Sequence, residues 1–121
     1  MNAKNKILYV DDEPINVQLF EYNFSKKFEV HTGTSGMEGL DKLEKYPDIK
    51  VVISDMRMPN MNGLEFANRA NEKFRDKIFF ILTGFDITEE IKQAIDNRLI
   101  HKYFRKPLNT NMIETAIFEV I

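Results

Sequence analysis

Three acids in a row, Asp11, Asp12 and Glu13, follow the apolar run "ILYV" near the start of the chain. Carboxylates that close repel one another, and each resists losing its water. Such a grouping calls for a positive charge. Asp55 ends the run "VVIS", Thr83 and Gly84 end "IFFIL", and Lys106-Pro107 follows "KYFR". A hard divalent cation suits three carboxylates. Mg2+ prefers octahedral oxygen coordination, keeps several waters, and is often held by one or two carboxylates plus a phosphate oxygen. Asp11, Asp12 and Asp55 can supply those carboxylates. Lys106 adds a point charge and Thr83 a hydroxyl donor. Asp55 can act as nucleophile toward a phosphoryl group, since carboxylates form acyl phosphates. Singly, each has an ordinary explanation: an acid pair ahead of a helix can simply cap it, and Lys106-Pro107 can simply stop a strand. His31 and His101 are expected to be ordinary half-buried or surface residues, and the chain has no cysteine.

The elements that must position these groups follow from periodicity. Short β-rich apolar runs cover 6–10, 28–32, 51–55, 78–82 and 102–105. Their starts lie about two dozen residues apart, the spacing of strands separated by helices. Several are apolar on consecutive positions, as expected for strands covered on both faces. The first intervening helix begins at Pro14 and sets Ile15, Leu19 and Tyr22 on one apolar face. The second is capped by Ser35, carries Met37, Leu40 and Leu43, and stops before Pro47. A third follows a turn at Asn62-Gly63. The fourth is capped by Asp86 or Thr88, with Glu89 and Glu90 in its first turn where the helix dipole favours them. A fifth closes the chain. Strict strand–helix alternation predicts an α/β fold with right-handed crossovers. The expected architecture is a flavodoxin-like, doubly wound (βα)5 domain over residues 1–121, its five-stranded parallel sheet ordered 2-1-3-4-5. Ligands then bind beyond the carboxyl ends of the strands. In that order strands 1, 3, 4 and 5 are neighbours. Three carboxylates, a hydroxyl and an ammonium converge on one crevice, which the separate ordinary explanations do not predict.

Composition sets the class. The chain has 121 residues, 43% hydrophobic and 30% charged, with a net charge of -2. That is one ordinary globular domain, with no basic surface for nucleic acid. No apolar run approaches bilayer-spanning length, and "MNAKNK" leads straight into a strand without a signal peptide. The lack of cysteine fits a cytoplasmic location.

Over about residues 6 to 121, through "VDDEP", "ISDMRMPNMNG", "ILTG" and "YFRKP", the sequence resembles the CheY-like receiver domain of bacterial two-component response regulators. The resemblance implies that Asp55 is the phosphoacceptor, charged by a sensor histidine kinase or phosphotransfer protein. It implies that Asp12 binds Mg2+ directly, Asp11 mostly through water, and the backbone carbonyl of Arg57 completes the protein ligands. Lys106 would pair with the phosphoryl group and Thr83 would hydrogen-bond it, with Tyr103 as the switch aromatic that turns inward when Thr83 moves. Lys106-Pro107 would be a cis peptide. The output surface would be helix 4, strand 5 and helix 5, with Ile87, Ile91, Lys92, Tyr103, Arg105 and Met112 as candidates. Such a protein is a signalling switch and not a turnover enzyme, catalysing only its own phosphorylation and dephosphorylation weakly. Arg57 and Phe85, each two residues beyond a key position, are expected to shield the acyl phosphate and slow its hydrolysis. Gly84 stands where a small residue is usual, and Gly39 is expected to loosen helix 2 slightly.

Two rival classes fit less well. An Mg2+-dependent aspartyl-phosphate hydrolase normally carries a second aspartate two residues after the nucleophile, where this chain has Arg57. A flavin-binding electron carrier of the same architecture needs a hydroxyl-rich phosphate loop after strand 1, and "DDEP" repels phosphate. The loop "GTSGMEG" lacks the G-x-G of a dinucleotide fingerprint. The apolar end "FEVI" favours a receiver cut from a regulator with a C-terminal output domain. A homodimer is a further expectation.

Overall fold

The consecutive apolar residues of "ILYV", "VVIS" and "IFFIL" are covered on both sides, which is why they do not alternate with polar ones. The computed structural model of the protein describes residues 4–84 and 86–121. Five strands, β1 (Asn5–Val10), β2 (Phe28–Gly33), β3 (Val51–Asp55), β4 (Ile78–Thr83) and β5 (Lys102–Arg105), alternate with five helices. The helices are α1 (Pro14–Phe24), α2 (Gly36–Lys45), α3 (Gly63–Lys73), α4 (Glu89–Asp96) and α5 (Thr110–Val120). All strand pairs are parallel and the order is β2-β1-β3-β4-β5, as the alternation predicts.

Side chains along a strand point alternately to its two faces, and the core divides accordingly. Ile7, Tyr9, Val51, Ile53, Phe80 and Leu82 pack under α1 and α5 against Phe20, Phe24, Ile113 and Ile117. Leu8, Val10, Val52, Phe79 and Ile81 pack under α2, α3 and α4 against Leu43, Phe66, Ala70 and Ile91. Each fully buried Phe or Leu stabilises the fold by about 1.5–3 kcal/mol over leaving it in water.

Two local expectations are corrected, and Gly39 gains a physical reason. Ile15, Leu19 and Tyr22 do share a face of α1, but it is the solvent face, and Tyr22 is 85% exposed. The core uses Val17, Phe20 and Phe24. Both sets have helical spacing, and the aromatic set wins because Phe20 stacks between Tyr9 and Phe24, with ring centroids 4.1 Å apart on each side. Gly39 has a packing role in α2 besides its low helix propensity. It admits Phe66: a Cβ at position 39 would lie 2.6 Å from Phe66 Cζ. Ile91, a surface candidate, is instead a core residue at 1% exposure.

The helix starts follow local hydrogen-bond rules. The Ser35 hydroxyl accepts from Glu38 N–H at the head of α2, and Thr88, not Asp86, caps α4 by accepting from Ile91 N–H. Asn62 and Glu65 form a reciprocal capping box at α3. Asp86 pairs instead with Arg105 of β5 at 2.9 Å. Phe85 lies outside the described residues.

Candidate functional site

Parallel pairing in register brings the chemistry to one end of the sheet. Val10 lies opposite Ser54 and Asp55 opposite Leu82, while Thr83 pairs with Arg105. The next residues, Asp11 and Lys106, therefore leave their strands at the level of Asp55 and Thr83. Lys106 N–H donates to the Thr83 carbonyl at 2.8 Å, which ties the end of β5 to β4. Met56 N–H donates to the Leu82 carbonyl, and Gly63 N–H to the Met56 carbonyl at 2.9 Å. The β3–α3 turn is thereby folded over the strand end. Only glycine fits at 63, where a Cβ would lie 2.6 Å from the Asp55 carbonyl oxygen.

Carboxylate oxygens of Asp11, Asp12 and Asp55 lie within 4.8 Å of one another. Lys106 Nζ stands 3.2 Å from Asp55 Oδ1 and 3.7 Å from Asp11 Oδ2. Asp11 is wholly buried, and Asp55 and Thr83 are nearly so. Burial, and after it the charge of Asp11, holds the Asp55 carboxyl above its ordinary range, while Lys106 works in the opposite direction. The Lys106 cation partly offsets the repulsion among three acids. An oxygen-rich, buried, net anionic cluster of this kind fits a hard divalent cation, and these carboxylates are the residues that can hold one.

Arg57 lies in the β3–α3 turn with an exposed side chain. Tyr103 is half-buried on β5, packed against the core under α4 together with Ile87 and Leu99. The Lys106-Pro107 bond is cis. Around Gly84 a Cβ would meet nothing within 4 Å, so that strand exit is sterically open. The histidines are elsewhere. His31 Nε2 lies 2.6 Å from a Glu29 carboxylate oxygen and its ring packs on Tyr46, while His101 lies beside Phe80.

One residue at the site escapes a search for charged strand ends. Tyr9, 2% exposed, donates its hydroxyl to Asp11 Oδ2 at 2.6 Å. Burial, then the bond to Asp11, push its phenol far above the ordinary range, so it remains a donor. A signal existed in the sequence: residues two apart on a strand share a face, so Tyr9 and Asp11 point the same way.

The family model for the response regulator receiver domain matches residues 7–118. The chain belongs to the response regulator receiver domain family. Among similar proteins, the chemotaxis protein CheY homolog of Campylobacter jejuni is 28% identical, over 96% of this chain and 92% of its own length. The hydrogenase transcriptional regulatory protein HoxA of Cupriavidus necator is 28% identical over 91% of this chain, yet only 23% of HoxA is covered. The receiver thus spans about a quarter of the length of the hydrogenase regulators it matches. Among solved structures, a response regulator receiver domain protein from Clostridium thermocellum superposes with a TM-score of 0.89 at 30% identity, covering 96% of this chain and 93% of that one. CheY4 of Vibrio cholerae gives a TM-score of 0.88 at 28% identity, covering 98% of this chain and all of that one. The receiver family is one of signalling switches. Among its described residues this receiver has no helix long and apolar enough to cross a membrane.

Proposed function

We propose that residues 1–121 act as one phosphoacceptor receiver of a two-component phosphorelay. The observation that carries the reading is Lys106 Nζ at 3.2 Å from Asp55 Oδ1, inside a cluster of three carboxylates. Asp55 attacks the phosphorus of a phosphohistidine on a sensor kinase or phosphotransfer protein; the P–N bond breaks and an acyl phosphate forms. Lys106 sits where it can neutralise an equatorial phosphoryl oxygen, and the Thr83 hydroxyl can donate to another. Asp12, Asp55, the Arg57 carbonyl and, through water, Asp11 would hold Mg2+, which would supply further positive charge to the phosphoryl oxygens. Movement of Thr83 toward the phosphoryl group opens space for Tyr103 to turn inward. That alters the α4–β5–α5 surface, where Ile87, Lys92, Arg105 and Met112 remain candidates for contact with an output domain, a separate partner or a second copy. The setting is the cytoplasm, and self-phosphorylation and self-dephosphorylation are weak.

Intact mass after incubation with acetyl phosphate tests this. One added phosphoryl group, dependent on Mg2+ and lost in Asp55→Asn, is the expected result. No adduct on a folded, Mg2+-binding protein overturns it in favour of a binding module that keeps the cavity without the chemistry.

A further inference from the structure

The Asp11 carboxylate is held by two donors from within the protein. Tyr9 Oη donates to Oδ2 at 2.6 Å, and Glu13 N–H donates to Oδ1 at 3.0 Å. Both oxygens are engaged before any cation arrives. The tyrosine cannot easily turn away, because its ring stacks on Phe20 with centroids 4.1 Å apart and planes 5° from parallel. Phe20 in turn stacks on Phe24, so the hydroxyl is carried by a three-ring column fixed between β1 and α1. A hydroxyl bonded to a carboxylate makes a short, charge-assisted bond, stronger than one between neutral groups. Lys106 Nζ, 3.7 Å from the same Oδ2, adds to the constraint.

We propose that Tyr9 is a positioning residue that sets the cation preference of the site, by keeping the Asp11 carboxylate turned into the protein and out of the cation's direct shell. This rests on the metal reading above and names a determinant within it. The chemistry discriminates between cations. Mg2+ keeps water and accepts few direct carboxylates in a strict octahedron, whereas Ca2+ takes six to eight oxygens and welcomes bidentate carboxylates. A carboxylate whose two oxygens each already accept a bond from the protein keeps only its remaining lone pairs, held in a fixed orientation; it serves a hydrated Mg2+ through water but does not readily turn to offer itself bidentately to Ca2+. Freed of its hydroxyl partner, Asp11 can.

Calorimetric titration of the whole protein with MgCl2 and, separately, CaCl2 tests this, comparing wild type with Tyr9→Phe and Tyr9→Met. Phenylalanine keeps the ring on Phe20, and methionine gives a second, independent removal of the hydroxyl. The expected result is a ratio of Kd for Ca2+ to Kd for Mg2+ that falls about fivefold or more in both variants, chiefly through tighter Ca2+ binding. Far-UV circular dichroism verifies the fold of each. A purely structural role for Tyr9 would weaken both cations together and leave the ratio unchanged, and that result overturns the proposal. A wild-type protein that binds neither cation overturns the metal reading itself, a different failure. A second readout is the acetyl phosphate reaction with either cation present: Ca2+ should support it better in Tyr9→Phe than in wild type, and equal support overturns the proposal.

Discussion

Gly39 of α2 and Phe66 of α3 occupy one shared space: a Cβ on the glycine would fall 2.6 Å from Phe66 Cζ and 3.0 Å from Val10 Cγ2. Phe66 is wholly buried and meets Phe79 edge-on, with centroids 5.5 Å apart, so it has little room to retreat. Two effects oppose each other on replacing the glycine. Helix propensity favours Gly39→Ala by about 1 kcal/mol. Overpacking costs about 1–3 kcal/mol. The overpacking wins because the colliding atom belongs to a rigid ring set in the core. Gly39→Ala should lower the melting temperature by about 4 °C, and adding Phe66→Leu should return part of the loss despite making a cavity when introduced alone. A Gly39→Ala protein as stable as wild type would refute the shared-space account.

Asp55 gives a pH dependence with a definite sign. Its folded carboxyl titrates above the ordinary range because it is buried beside Asp11. A group whose value is raised on folding favours the folded state at low pH and loses that contribution as pH rises through its folded value. Asp55→Asn should therefore be the more stable protein at pH 7 in the absence of metal, by about 2–5 °C. The difference should shrink as pH falls toward the ordinary carboxylate value of about 3.9. Adding Mg2+ should narrow the gap at pH 7, because only wild type keeps all three carboxylates and a ligand that binds the folded state stabilises it. Thermal melts at several pH values, with and without the ion, check each part.

Lys106 is placed to act twice. It lies within reach of both Asp11 and Asp55 and offsets their repulsion, and under the proposed function it would also neutralise the arriving phosphoryl group. Lys106→Met removes both effects. Phosphorylation by acetyl phosphate should slow by about 10²-fold, the scale seen when one preorganised donor is lost from a charge-developing site. The melting temperature should also fall at pH 7 and recover toward acid, because protonation of the carboxylates removes the repulsion. A slower reaction with an unchanged pH–stability profile would separate the two roles.

Arg98 closes α4 with φ of 63°, the left-handed conformation that glycine adopts freely and a side chain resists. Arg98→Gly should raise stability by about 0.5–1 kcal/mol, read by urea denaturation. The Arg105–Asp86 ion pair, exposed at both ends, should matter less. Asp86→Asn should change stability by under about 0.5 kcal/mol. A larger loss would make that pair a restraint on the β4–α4 connection.

Arg57 carries an expectation about lifetime. Its long cation, two residues beyond Asp55 in the chain, should hinder attack of water on the acyl phosphate. Arg57→Asn should shorten the phosphorylated half-life several-fold, followed by loss of the added mass over time. An unchanged or longer half-life would count against the shielding.

How much of this was legible in the sequence depends on the range over which each property is set. Buried parallel strands read as unbroken apolar runs, so their ends, and Asp11, Asp12, Asp55, Thr83 and Lys106 just beyond them, stand out by position alone. Strand–helix alternation with right-handed crossovers leaves few topologies, and the order β2-β1-β3-β4-β5 follows. The Ser35 cap is a local hydrogen bond and was equally legible, whereas Asn62, expected only as a turn, proves to cap α3. What depended on packing between distant segments was not. α1 carries two apolar stripes of helical spacing, and only the Tyr9–Phe20–Phe24 column decides which one turns inward. Gly39 is a poor helix former until Phe66, 27 residues on, arrives to fill the space it leaves. The sequence by itself determined which groups gather at the sheet edge, because strand ends are set within a few residues. The tertiary structure decided how those groups are held, including the hydroxyl on Asp11, because packing is a property of shape that no single segment carries.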